Sequence, residues 1–350
     1  MVRGSGSIIP LSPFPSIPVP LRKVLVFSAD GVLMAKLCLI FGKELLLYSF
    51  GPGHPMRSDR LRYFWEEVER CGLLSSKDIE VCPPVMAKRE DLLLFHDEEY
   101  VRFVEEASKK GVGVLDYGDT PAFPGVFEAS CYVVGSTLLG LDKIMRGEAL
   151  HAFNPMGGLH HARRRSAGGF CVFNDAAIAI AKALEDYGVE RVLYIDIDAH
   201  HGDGVLYGFY EDPRVYIADI HESGRYLYPG TGFREEIGSG EARGTKLNIP
   251  LNPGDGDEEL REALDEVRSF ARKANPDIIL LQCGADGLFS DPLTHLRYSH
   301  DGHRLAVQVV HELAHELCQG RLLVMGGGGY NRRDTAVAWV NAIRVMISCK

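Results

Sequence analysis

The chain has 350 residues, 46% apolar and 25% charged, the balance of an ordinary soluble globular protein with material for a sizeable core. A formal net charge of −10 argues against nucleic acid as the main partner and would attract cationic ligands such as lysine side chains or amines. No apolar run reaches the roughly 18–20 residues of a membrane span, and the N-terminus lacks the charged-then-apolar pattern of a secretory signal.

Residues 1–22 carry prolines at 10, 13, 15, 18 and 20 and read as an extended lead-in. We set 1–45 apart from a regular domain over 46–350. Val24–Phe27 and Leu37–Leu47 are apolar runs of strand character. After the loop Gly51-Pro-Gly-His-Pro comes a helix from Ser58 to Gly72, with Leu61, Phe64 and Val68 on one face. Asn174 opens a second helix that is apolar nearly all round, closes near Gly188, and should be buried. Arg191–Ile197, Val215–Ile220, Asp277–Cys283 and Arg321–Met325 read as short strands, and Asp257–Lys273 and His300–Leu317 as helices between them. Strands alternating with helices predict one α/β domain, a central parallel sheet flanked by helices on both faces. Eight cysteines lie scattered with no Cys-x-x-Cys pair, which points to a reducing cytoplasm.

Ligands of such sheets bind beyond the carboxyl ends of the strands. The densest polar cluster, Asp196-Ile-Asp198-Ala-His200-His201-Gly-Asp203, stands at that place. In extended chain Asp196, Asp198 and His200 alternate onto one side. Burying two carboxylates and an imidazole together is costly unless a cation joins them. Nitrogen and oxygen donors without thiolate suit Zn²⁺, and also Fe²⁺, Co²⁺ or Mn²⁺. Asp286 follows the strand ending at Cys283 and supplies a third donor at the same sheet edge. Gly157-Gly158-Leu159-His160-His161 sets adjacent histidines after a glycine pair. Gly326–Gly329 allows close backbone approach and aims Tyr330. No Gly-Lys-Ser/Thr follows, so this run is not a phosphate cradle.

Together with Gly169-Phe-Cys-Val-Phe-Asn-Asp and Pro229-Gly-Thr-Gly, these motifs resemble the zinc-dependent histone deacetylase family, including its prokaryotic acetoin-utilisation and acetylpolyamine branches. The likeness runs from about Tyr48 to Val345. It implies an arginase-like fold and one Zn²⁺ held by Asp198, His200 and Asp286, with Fe²⁺ or Co²⁺ as substitutes. It also implies an acid–base pair, His160 and His161, backed by Asp196 and Asp203. Tyr330 would polarise the carbonyl, and water activated by the metal would be the nucleophile. Gly169, Phe170 and Tyr228 would line an acetyl-lysine tunnel, with Asp119 as clamp on the substrate backbone. A monovalent cation, K⁺ or Na⁺, would sit near Asp196 and His200.

Three positions depart from the family pattern. Asp219 stands where serine is usual beside the cation; it could tighten that site, or be tolerated there while backbone carbonyls do the binding. Met56 replaces a common glutamate and should have no consequence. Leu293 stands where polyamine-selective members carry a gatekeeper glutamate, which favours acetyl-lysine in protein or peptide over acetylpolyamines. Two rivals are a two-manganese arginase-type enzyme and a silent acyl-lysine-binding module.

Overall fold

The structure, a computed structural model, describes residues 26–27 and 33–348; the proline-rich lead-in lies outside them. In chain order the strands are β1 (Val26–Phe27), β2 (Leu33–Ile40), β3 (Ile79–Cys82), β4 (Ala149–Asn154), β5 (Val192–Asp196), β6 (Val215–Glu222), β7 (Lys246–Leu251), β8 (Ile278–Gln282) and β9 (Leu322–Met325). The helices are α1 (Asp59–Arg70), α2 (Arg89–Leu92), α3 (Glu98–Lys110), α4 (Val126–Met145), α5 (Asp175–Asp186), α6 (Asp203–Gly208), α7 (Asp257–Ala274), α8 (His300–Leu317) and α9 (Arg332–Ile347).

The sheet is parallel in the order β3-β2-β4-β9-β8-β5-β6-β7, and β1 adds a short antiparallel pairing to the start of β2. β5 and β8 are buried at every position, as continuous apolar strands covered on both faces must be. On one side α4 packs against β4 and α5; on the other, α1, α9, α8 and α7 follow one another. α5 is the buried helix expected from its composition. Asn174 caps it by accepting the Ala177 N–H at 2.9 Å, and Gly188, at φ 61°, follows its end. No described helix is long and apolar enough to cross a membrane.

Two differences from the sequence reading matter. The run Leu37–Leu47 is not one strand: β2 ends at Ile40, and Lys43–Leu47 forms a 3₁₀ turn. Gly42 breaks it, lying so close to Pro84 that a Cβ there would sit 2.4 Å from the proline ring. β2 also falls inside the stretch set apart as lead-in, yet pairs with both β3 and β4.

β4 (Ala-Leu-His-Ala-Phe-Asn), a nearly fully buried strand without an alternating pattern, is decisive. β4, β9, β8 and β5 are neighbours, so the segments leaving their carboxyl ends converge. Those segments are Gly157–His161, Gly326–Tyr330, Cys283–Asp286 and Ile197–Asp203.

Candidate metal-dependent active site

Asp198, His200 and Asp286 meet at this edge, with one ligand atom from each within 4.8 Å of the others. His200 Nδ1 lies 3.1 Å from Asp198 Oδ1 and 2.9 Å from Asp286 Oδ2. The remaining carboxylate oxygens are held by fixed donors. Asp198 Oδ2 accepts from Gln282 Nε2 at 2.7 Å and from the Gly328 N–H at 2.8 Å, and Asp286 Oδ1 accepts from the Ala199 N–H at 2.8 Å. Burial, then the charge of Asp198, pushes Asp286 up to about 7. Two buried carboxylates in conflict beside an imidazole are a donor set that a divalent cation satisfies. The backbone is shaped to it: a Cβ on Gly284 would fall 2.4 Å from Asp198 Oδ2, and one on Gly328 2.2 Å from Asp286 Oδ2.

The paired histidines lie beside this set. His160 Nδ1 is 2.7 Å from Asp196 Oδ2, His161 Nδ1 is 2.8 Å from Asp203 Oδ1, and the two Nε2 atoms face each other at 3.1 Å. Asp196 also accepts from Tyr194 Oη at 2.7 Å, and Asp203 from Arg163 Nη2 at 2.7 Å. Burial opposes charge on both rings. On His160 the fields of Asp196 and Asp198 overcome it and raise the pKa to about 10. On His161 burial and the neighbouring His160 lower it to about 4. The pair therefore holds one extra proton at neutral pH. His160 donates from both nitrogens, and His161, its Nδ1–H spent on Asp203, presents a lone pair at Nε2.

Tyr330 is fixed through its backbone N–H, which Asp291 Oδ2 accepts at 2.7 Å. Its ring lies edge-on to Phe170 at 5.9 Å, and the Arg60 guanidinium stands 5.5 Å from its centre. Phe170 has φ 67°, a left-handed backbone rare for an aromatic residue. Thr120 Oγ1 accepts its N–H at 3.1 Å, and Tyr48 donates to its carbonyl at 2.6 Å. Such strain, worth roughly 1–3 kcal/mol, gathers at ligand sites. Gly169 is required here, because a Cβ would enter the His161 ring at 2.4 Å. Tyr228 meets His161 edge-on at 5.0 Å. Asp119 is bound locally. Its carbonyl is 2.9 Å from His54 Nε2, and burial with the adjacent Asp116 raises its carboxyl to about 6. Leu293, half-buried, follows the Asp291 that positions Tyr330 and donates its N–H to it at 2.9 Å.

A histone deacetylase domain model matches residues 54–346. The chain belongs to the histone deacetylase family. It is 40% identical over 303 residues to the acetoin utilization protein AcuC of Bacillus subtilis (strain 168), covering 83% of this chain and 77% of that protein. It is 37% identical over 297 residues to a probable deacetylase of Archaeoglobus fulgidus, covering 84% and 81%. The crystal structure of the HDA15 HD domain superposes with a TM-score of 0.82 at 29% identity, over 89% of this chain and 90% of that one. The sheet is thus the arginase-like sheet of this family, and the protein is a hydrolase, a deacetylase acting on an acetylated substrate. The arginase-type and silent-binder readings fall with that assignment.

Several residues of the deacetylase site escaped the sequence reading. Arg60 is buried on α1, donating to the Gly327 carbonyl at 2.7 Å and lying 2.8 Å from Met56 Sδ. So Met56 has a defined neighbour after all. The signal was an arginine one helical turn before Phe64, on the apolar stripe. Gln282, the polar end of an otherwise apolar strand, holds Asp198. Asp175 accepts the Gly158 and Leu159 N–H groups at 3.0 and 2.8 Å and so sets the turn before His160. Asp219 accepts the Gly202 N–H at 2.9 Å and pairs with His221 Nδ1 at 2.6 Å. His221 Nε2 is 2.9 Å from the Gly232 carbonyl. A carboxylate and a carbonyl only accept, so His221 must donate twice. Although burial opposes it, Asp219 accordingly raises its pKa. The additional carboxylate thus carries its own counter-charge.

Proposed function

We propose that the enzyme hydrolyses the amide of an acetylated lysine side chain in protein or peptide, with one Zn²⁺ held by Asp198, His200 and Asp286. The observation that carries this is the pair of carboxylate-backed histidines with opposed Nε2 atoms beside that donor set. A metal held there would supply Lewis acidity, polarising the amide carbonyl and making the attacking water more acidic.

The chain's own residues do the rest. His161, neutral at pH 7, takes the water proton at Nε2 as the oxygen–carbon bond forms. His160 gives its Nε2 proton to the nitrogen as the carbon–nitrogen bond breaks, leaving acetate and a free amine. Asp196 and Asp203 fix the tautomers. The Tyr330 phenol, held protonated by burial and by Asp286 and Asp198, donates to the developing oxyanion. Phe170 and Tyr228 serve as walls for the four-carbon stem, and Asp119 accepts from the substrate backbone.

Leu293 supports lysine over polyamine, because it offers no carboxylate to a second ammonium; acetylpolyamine is the second substrate class. Asp219, already paired, leaves a K⁺ or Na⁺ ion near Asp196 and His200 to be bound by other oxygens. The scattered cysteines, with no Cys-x-x-Cys pair, support a cytoplasmic setting.

The test is a deacylation screen of the metal-loaded chain on acetyl-lysine peptides, acetylpolyamines and longer acyl-lysines. Acetyl-lysine should give the highest kcat/KM, and a higher value for an acetylpolyamine would overturn the substrate assignment. Tyr330→Phe should lose about 10²–10³ in kcat while keeping one metal per chain. Full activity in that variant refutes the role of the tyrosine.

A further inference from the structure

Away from this site, a second group of metal-ligating side chains stands in the fold. His151 lies on β4, and His311 and His315 lie one turn apart on α8, so they share a helix face. Each offers a ring nitrogen, and the three nitrogens lie within 4.8 Å of one another. The ring centres are 4.9 Å apart for His151 and His311, 5.3 Å for His151 and His315, and 4.6 Å for His311 and His315. The Nε2 atoms of His311 and His315 face each other at 3.1 Å. Tetrahedral zinc with nitrogen ligands at about 2.05 Å separates its donors by roughly 3.3 Å, close to the 3.1 Å between the Nε2 atoms of His311 and His315.

Burial makes ordinary roles for the cluster costly. His151 and His311 are each about 2% exposed or less, and His151 Nδ1 is buried with no hydrogen-bond partner. Such a nitrogen loses its hydration without compensation. Protonation is no remedy, since burial and then the neighbouring His311 and His315 push His151 down to about 3. His151, kept neutral, presents a lone pair rather than a charge. His315 is only half-buried, which leaves the cluster a side toward solvent. His151 sits near the start of β4 and His315 near the end of α8, at the sheet edge opposite the active site.

We propose that His151, His311 and His315 form a second metal site, taking a divalent transition ion that prefers imidazole, Zn²⁺ foremost, with its remaining position open to water. All-nitrogen donors exclude Mg²⁺ and Ca²⁺, which need oxygen. The ion ties β4, which leads directly into the His160–His161 turn, to α8. The site is structural and independent of the proposed substrate.

The experiment is metal stoichiometry on the chelator-stripped full-length chain, by Co²⁺ titration with visible absorption and by Zn²⁺ content after dialysis. The wild type should bind two ions, Asp198→Asn one, His315→Ala one, and the double variant none. Zn²⁺ should also raise the melting temperature of Asp198→Asn but not of the double variant. Far-ultraviolet circular dichroism confirms that each variant is folded, and His315→Gln substitutes if His315→Ala is not. A single wild-type ion that Asp198→Asn loses and the His315 variants keep, or a second ion retained in both His315 variants, overturns the proposal. Loss of the ion in Asp198→Asn with the other retained leaves this site standing whatever the first site does.

Discussion

Gly328 provides the sharpest test of the donor set, because its effect can be worked from distances. Its backbone lies in a region open to any residue, so Gly328→Ala introduces no torsional strain, only a methyl group. That carbon would stand 2.2 Å from Asp286 Oδ2 and 2.8 Å from Asp198 Oδ2, against an ordinary contact of about 3.4 Å. Asp286 must therefore retreat by about 1.2 Å. It cannot do so freely, since its other oxygen is bound to the Ala199 N–H. Metal–ligand distances tolerate about 0.2 Å, so the displacement removes one donor from the set. We expect Zn²⁺ affinity to fall by at least about 10²-fold, or about 2.8 kcal/mol at 1.4 kcal/mol per tenfold. Chelator competition on the stripped protein measures it, with the melting temperature of the metal-free form as the check on folding. Gly53→Ala, which meets nothing within 4 Å, is the control. A folded Gly328→Ala that binds Zn²⁺ within threefold of the wild type would refute the reasoning.

Further outcomes follow from the charges. The wild-type kcat/KM should show a plateau around neutral pH, because burial and His160 hold His161 down while Asp196 holds His160 up, and one ring must be neutral and the other charged. Asp196→Asn removes a field that raises the His160 value, so the alkaline limb must move to lower pH and the loss at pH 9 must exceed that at pH 6; an unmoved limb counts against His160 as the proton donor. Asp219→Ser strips the buried His221 of its carboxylate and should cost roughly 3–5 kcal/mol, a fall in Tm on the order of 10 °C. The raised pKa of His221 stabilises the fold fully below the unfolded value of about 6.5 and less as pH climbs through the folded value. The deficit should therefore be greatest near pH 6 and shrink in alkali, and a pH-independent deficit would show His221 to be neutral.

What could be read in the sequence was what repeats with a short period. Asp196, Asp198 and His200 stand at alternate positions, although the strand ends at Asp196 and the chain bends over 198–200, so that Asp196 meets His160 rather than the donor set; the apolar runs of β5 and β8 announce buried strands. The parallel sheet and its loaded edge followed from these. What could not be read was pairing between distant segments. Nothing near Asp219 marks His221 as its counter-ion, because two residues apart on a strand they would simply share a face. Gln282 looks like the end of a strand until Asp198 arrives from another one. Arg60 is one polar residue on an apolar stripe, and its partner, the Gly327 carbonyl, lies 267 positions away.

The tetraglycine shows the distinction most clearly. Its composition predicts a backbone that approaches a ligand closely and aims Tyr330 at it. The structure shows what that close approach serves. A Cβ on Gly327 would strike Gln282 at 2.3 Å, and one on Gly328 would strike Asp286. These glycines are a mould cast around the donors, and Tyr330 is aimed by Asp291 instead. Substitution there should thus act on the metal before it acts on the tyrosine, which is why affinity rather than turnover is the quantity to measure.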